Sequence, residues 1–244
     1  NSEKAVSEIA LQSHGIPHVF PAAVEAQAES AKPVEKLGKR EDWRQVPLIT
    51  IDPPDAKDHD DAVYAEADED PSNEGGYICY VAIADVAYYV TPGSPMDREA
   101  NLRGNSVYFP DRVIPMLPER ISNQLCSLRE KEDKPALGVR MVFDKTGRKT
   151  GHTFHRVLMR SAAKLSYLQA QKAIDGTTDE KTETLLDGVL KPLWAMELLL
   201  FSLLLICFVA FTLTIFIALM RSMLRSRWVF SVSRWVFSAP LPPS

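Results

Sequence analysis

Five aspartates fall within ten residues, at positions 52, 55, 58, 60 and 61, in the stretch LITIDPPDAKDHDDAVYAE (residues 48–66). The cluster stands between an apolar run ending at Ile51 and an alternating segment that starts at Ala62 and reads as a strand. A chain with this feature must bring two buried strands to one point and gather like charge there. Two carboxylates about 5 Å apart repel by roughly 3 kcal/mol at an effective dielectric near 20. Such a group protonates in part, splays into solvent or binds cations. A solvated acidic loop is the plain reading of a charge run. Here Pro53 and Pro54 stiffen the first half of the segment, and Ala56 and Ala62 leave room for tight turns.

The ligand types narrow the cation. All-oxygen donors point to Mg²⁺, Mn²⁺ or Ca²⁺ rather than zinc, for which His59 is the only nearby partner. An EF-hand loop fails: counted from Asp58, Val63 stands where the sharp turn needs glycine, and the glutamate of position 12 is missing. In an extended chain Asp58 and Asp60 share one face and Asp61 points the other way, so a site using all of them requires a turn. Hard-metal sites at strand ends grip phosphate oxygens and activate water.

The remaining sequence gives the setting. The 244 residues carry a net charge of −4, with 45% hydrophobic and 25% charged residues. That suffices for a sizeable core, and a basic nucleic-acid surface is excluded as the main means of binding. Cys79, Cys126 and Cys207 are odd in number and far apart, which favours a reducing compartment over a disulfide framework. A helix is expected over Ser2 to Gln12, with Val6, Ile9 and Ala10 on one face. A second is expected after Pro21, and a linker then leads to a strand over Val46 to Ile51. YICYVAIA reads as a buried strand running to Asp85. Ser94-Pro95-Met96-Asp97 reads as a capped helix start, and SVYFP as a short strand or loop. A short helix is expected from Pro118 to Leu128, a hairpin turning at Asp144 to Gly147, and helix again from Ser166. Leu198 to Met220 is uncharged, and SRWVFS occurs twice beyond it. This tail is expected to be a frameshift or truncation artefact; its alternative is a membrane-spanning helix with basic flanks.

TIDPPDAKDHDDAVYAE resembles the signature of the ribonuclease II/ribonuclease R family, whose catalytic domain is the RNB domain. VAIADVAYYV, GSPMDREANLRGNSVYFPDRVIPMLPERISNQLCSL and AKLSY follow in the family's order, and SHGIPHVFPAAVEAQ resembles the segment before this domain in the ribonuclease R branch. The resemblance implies an α+β fold: N-terminal helices (1–45), the first half of a mixed-sheet RNB domain (46–195), then an apolar non-homologous helix within 196–244. It implies 3′→5′ exoribonuclease activity on single-stranded RNA in the cytoplasm. Nucleoside 5′-monophosphates are released with Mg²⁺, or Mn²⁺ in its place, and no small-molecule cofactor or membrane is involved. Carried over by position, Asp52, Asp58, Asp60 and Asp61 are metal-site aspartates, with Asp60 and Asp61 catalytic and Asp61 the most critical. Tyr108 contacts the 3′-terminal nucleotides, with core packing as its alternative. Asp55 is solvated. Asp85 supports the site or caps a strand; Arg98, Arg103 and Arg112 track phosphates or serve solubility. A glutamate and an arginine of the family site lie in the half not represented here. The alternatives are therefore an inactive RNA- or metal-binding remnant and, if the apolar run is genuine, a membrane-tethered protein.

Overall fold

The computed structural model describes residues 2–198. Their compact unit is built on a seven-stranded mixed sheet of spatial order β1-β8-β7-β4-β3-β2-β9. The strands are β1 (Glu41–Trp43), β2 (Ile49–Asp52), β3 (Asp61–Ala67), β4 (Tyr77–Ala84), β7 (Asp133–Phe143), β8 (Lys149–Arg160) and β9 (Ala163–Ser166). The short strands β5 (Val107–Tyr108) and β6 (Val113–Ile114) form a separate ribbon. Pairing is antiparallel from β2 through β8, while β1 joins β8 and β9 joins β2 in parallel.

This order forces the sheet to curl. In a flat sheet with strands about 4.8 Å apart, β8 and β9 would lie roughly 24 Å from each other. Only Ser161 and Ala162 connect them, a reach of at most about 11 Å. The two edges therefore approach, and at the corner Ala162 N–H donates to the Leu48 carbonyl at 2.8 Å.

One face of the sheet packs on the N-terminal helices. Helices α1 (Ser2–Ser13), α2 (Ala22–Ser30) and α3 (Pro95–Arg103) are followed by a π-helical segment, Arg120–Cys126. Val24, Ala28, Met96, Ile121 and Leu125 meet Ala62, Ala82, Ala136 and Val157 in one core. Trp43 lies against Gly138 so closely that a Cβ there would stand 2.6 Å from its ring. At β2 and β9 the opposite face is covered by α4 (Tyr167–Ile174), α5 (Glu180–Leu185) and the turn Leu186–Leu190, through Ala173, Val189 and Leu190.

Several expected starts are present. Ser94 caps α3 by accepting from Asp97 N–H, and Ser166 caps α4 in a reciprocal capping box with Gln169. The hairpin turns at Asp144, whose carboxylate accepts from Thr146 and Arg148 backbone N–H groups. The strand expected from Val46 begins only at Ile49. The face expected for α1 is corrected: Val6 and Ile9 are exposed, while Ser7 and Leu11 are buried. The Ser7 hydroxyl, one turn from buried Leu11, donates to Asp111, and Ser7 and Leu11 mark the face that packs. After α4 the helix expected from Ser166 breaks, and α5 runs directly into a π-helical turn at Leu186–Leu190. Except for Leu198, the apolar run and the repeat beyond it lie outside the described residues. Among the described residues no helix is long and apolar enough to cross a membrane.

Candidate active site

The aspartates collect where β2 ends and β3 begins. Ile49 opposes Val63 in the antiparallel pair, which brings Asp52 level with Asp60, just ahead of β3. Residues 53–60 form the connection and open with a turn in which Ala56 N–H donates to Pro53 C=O at 3.1 Å. On the other side of β3, Ala84 N–H donates to the Asp60 carbonyl at 2.9 Å. On the other side of β2, Asp52 is paired with Ser166 of β9. The required turn is thus present, and four strands, β2, β3, β4 and β9, converge on it.

Electrostatics bind the aspartates into one system. Desolvation raises the Asp60 carboxyl above its ordinary range, and Asp58, Asp61 and Asp52 push it further in that order. Asp61 is raised by desolvation and then by Asp52. Both side chains remain open to solvent by area, yet the surrounding protein crowds them enough to disfavour the charged form. Among the described residues no lysine or arginine forms an ion pair with Asp52, Asp58, Asp60 or Asp61. Carboxylate oxygens that repel one another, with only the His59 imidazole beside Asp52, suit a hard divalent ion in donor type and charge. Their arrangement is open: among the described residues no three His, Cys, Asp or Glu side chains converge closely enough to enclose one.

A residue that the sequence reading passed over holds the turn in place. His59 is 4% exposed. Its Nδ1 lies 2.8 Å from Asp52 Oδ2. Its backbone N–H donates to Ser127 Oγ at 3.1 Å, and its carbonyl accepts from Leu128 N–H at 2.8 Å. Lys164 Nζ, from β9, donates to the Ala56 carbonyl at 3.2 Å. The signal for His59 was available: between two outward aspartates in an extended segment, the intervening side chain faces inward. Beside the turn runs a groove of about 550 Å³, with Lys57, Arg129, Lys164 and Lys181 set against Glu130 and Glu132.

The other candidates separate. Tyr108 is 70% exposed on the β5–β6 ribbon, which disposes of core packing; the ribbon is separate from the sheet that carries the aspartates. Asp55 is exposed in the turn. Asp85 is buried against Arg40 at 2.6 Å, with Arg156 at 3.6 Å, and so belongs to a structural ion pair. Arg103 is neither a phosphate contact nor a surface charge. Its side chain is buried, bonded to Glu99 and to the carbonyls of Pro115 and Val19, and lies 3.7 Å from the Phe20 ring centre. Arg98 donates to the Gly93 carbonyl, and Arg112 pairs with Asp111. Burial pushes the Cys79 and Cys126 thiols up to about 11 and about 12, as expected of inert core cysteines.

The profile of the RNB domain matches residues 40–204. The chain belongs to the RNB-domain family. Ribonuclease R of Escherichia coli (strain K12) is 47% identical over 175 residues, which cover 70% of this chain and 21% of that protein. Ribonuclease R of Acidithiobacillus ferrooxidans is 46% identical over 180 residues, or 72% of this chain and 40% of that protein. Among solved structures, Mycoplasma genitalium RNase R in complex with double-stranded RNA superimposes with a TM-score of 0.69 at 30% identity, covering 78% of this chain and 33% of that one. The chain therefore spans about a fifth of the Escherichia coli protein's length, and the curled mixed sheet is that of an RNB-type α+β fold. The family match extends over residues 196–204, where the tail was expected to begin.

Proposed function

We propose that this RNB-family chain contributes the carboxylate half of a 3′→5′ exoribonuclease site, one that hydrolyses single-stranded RNA to nucleoside 5′-monophosphates. One observation carries the reading. Four aspartates gather at one end of the sheet, where desolvation and aspartate neighbours raise the Asp60 and Asp61 carboxyls and no described lysine or arginine pairs with them, in a family whose named relatives are ribonucleases. Asp52, Asp58, Asp60 and Asp61 would hold Mg²⁺, or Mn²⁺ in its place. Bound there, a pair of such ions supplies Lewis acidity at the scissile phosphate and a more acidic water. The chain's own part is to place negative oxygens on a stiff strand–turn–strand frame and to orient the attacking water through Asp61. Tyr108, exposed on its ribbon, offers a face on which a terminal base stacks without regard to its identity, worth roughly 1–3 kcal/mol per base. Since Mycoplasma genitalium RNase R has been seen both with ribose-methylated single-stranded RNA and with double-stranded RNA, the two forms belong side by side in the test.

The test incubates the chain with labelled single-stranded or duplex RNA and Mg²⁺. Steady release of mononucleotides from the single strand is expected. In a protein that carries the whole RNB domain, Asp61→Asn should abolish degradation while RNA binding, read by filter retention, persists. Loss of binding together with activity would overturn the role given to Asp61.

A second reading is favoured by the open arrangement of the carboxylates: a non-catalytic RNA- or metal-binding unit. Intact RNA after incubation, with binding retained, selects it.

A further inference from the structure

We infer that His59 is a positioning residue for the metal-binding carboxylates: its buried imidazole holds Asp52 in one orientation and ties the acidic turn to the Ser127–Leu128 segment. The inference rests on the metal-site reading above. The structural grounds lie in three contacts. An ionised carboxylate only accepts hydrogen bonds, so the hydrogen between Nδ1 and Asp52 Oδ2, 2.8 Å apart, is carried by the imidazole. That bond engages one oxygen of Asp52; Oδ1 accepts no hydrogen bond from any described residue and stays available to an ion. The backbone of His59 is fastened at both ends, its N–H to Ser127 Oγ and its carbonyl to Leu128 N–H. Ser127 and Leu128 are themselves fully buried, so the anchor is rigid.

The position of His59 in the chain gives these contacts their force. It lies between Asp58 and Asp60. Its side chain is buried while Asp58 is half-buried and Asp60 exposed. One buried ring thus holds Asp52 by a hydrogen bond, and the anchored backbone of His59 fixes the chain between Asp58 and Asp60. Partners that orient ligating carboxylates in this way typically contribute 10–100-fold in metal affinity.

The experiment titrates Mn²⁺ alone into the full chain, following the paramagnetic signal of the free ion, for the wild type and for His59→Phe, His59→Asn and His59→Gln. Asparagine presents its amide nitrogen near the place of Nδ1; glutamine presents it near Nε2. The expected result is affinity weakened by about ten-fold in His59→Phe, largely restored by Asn and not by Gln. A merely space-filling role would not separate Asn from Gln. If His59→Phe fails to fold, as thermal melts would tell, the Asn/Gln pair decides alone. Equal affinities for Asn and Gln, or wild-type affinity in a folded His59→Phe, would overturn the inference while leaving the metal site standing. Asp61→Asn serves as the control for that site. If it binds Mn²⁺ as the wild type does, the metal-site reading falls, and the role of His59 falls with it.

Discussion

Asp60 and Asp85 lie at the adjoining ends of neighbouring strands, just before β3 and just after β4, joined through the bond from Ala84 N–H to the Asp60 carbonyl, yet the protein treats them oppositely. Asp85 is buried and answered by Arg40 at 2.6 Å, with Arg156 beyond it. Asp60 is crowded by three other aspartates and answered by no described arginine or lysine. The difference separates two uses of the same side chain. A carboxylate that the fold neutralises serves the fold; one left in repulsion with its neighbours is stabilised by something added later.

The sharpest way to break this comparison is at Asp85. Asp85→Asn strands the Arg40 guanidinium, whose side chain is only 10% exposed. Breaking a buried pair in this way costs about 3 kcal/mol, and the melting temperature should fall by roughly 6–12 °C. A fall of under a degree would mean that the pair is not structural. The aspartate turn should respond with the opposite sign. Adding millimolar Mn²⁺ should raise the melting temperature of the wild type by a few degrees, through roughly 1–2 kcal/mol of linkage, and should do so much less for Asp60→Asn; equal shifts would remove Asp60 from the ligand set. The smallest effect concerns the ion-free protein. Asp60→Asn relieves both desolvation and repulsion, and should raise the melting temperature at pH 7 by on the order of 1–2 °C. The sign with pH follows from linkage. The folded-state pKa of Asp60 lies above its ordinary value of 3.8, so the native state is penalised at neutral pH. As pH falls through the raised pKa towards the ordinary one, the native state takes up the proton first and the penalty disappears. Melts of both proteins from pH 7 to pH 4 should therefore converge. An advantage of Asp60→Asn that grew towards acid would contradict the repulsion.

Much of this was legible in the residues. The meeting of strands at the aspartates followed from apolar runs on either side of a charge cluster, and the helix starts at Ser94 and Ser166 from capping patterns, because these are local. The illegible parts depended on distant partners. Arg103 resembled a surface or phosphate-binding arginine, yet Phe20, Val19 and Pro115 enclose it, none of them predictable from the spacing around it. Helix α1 presented Val6 and Ile9 as its apolar face. The side that docks instead carries Leu11 and Ser7, which bonds Asp111, about a hundred residues away. His59 was read only as a poor zinc ligand. Its partner Asp52 is close in sequence, but its burial depends on Ser127 and Leu128.

The two-residue corner at Ser161 and Ala162 has a bearing on how the chain is made. Strands β3 and β4, and likewise β7 and β8, are hairpins of short sequence separation, whereas β4 meets β7 across about fifty residues and β2 gains its outer partner only from β9, so that Ile49 waits for Ala163, more than a hundred residues later. Contacts of such long sequence separation close late, because the loop entropy must be overcome before they contribute. Asp52 therefore reaches its final setting near the end of folding. A nascent chain released before β9 emerges carries the acidic segment without the frame that gives it purpose.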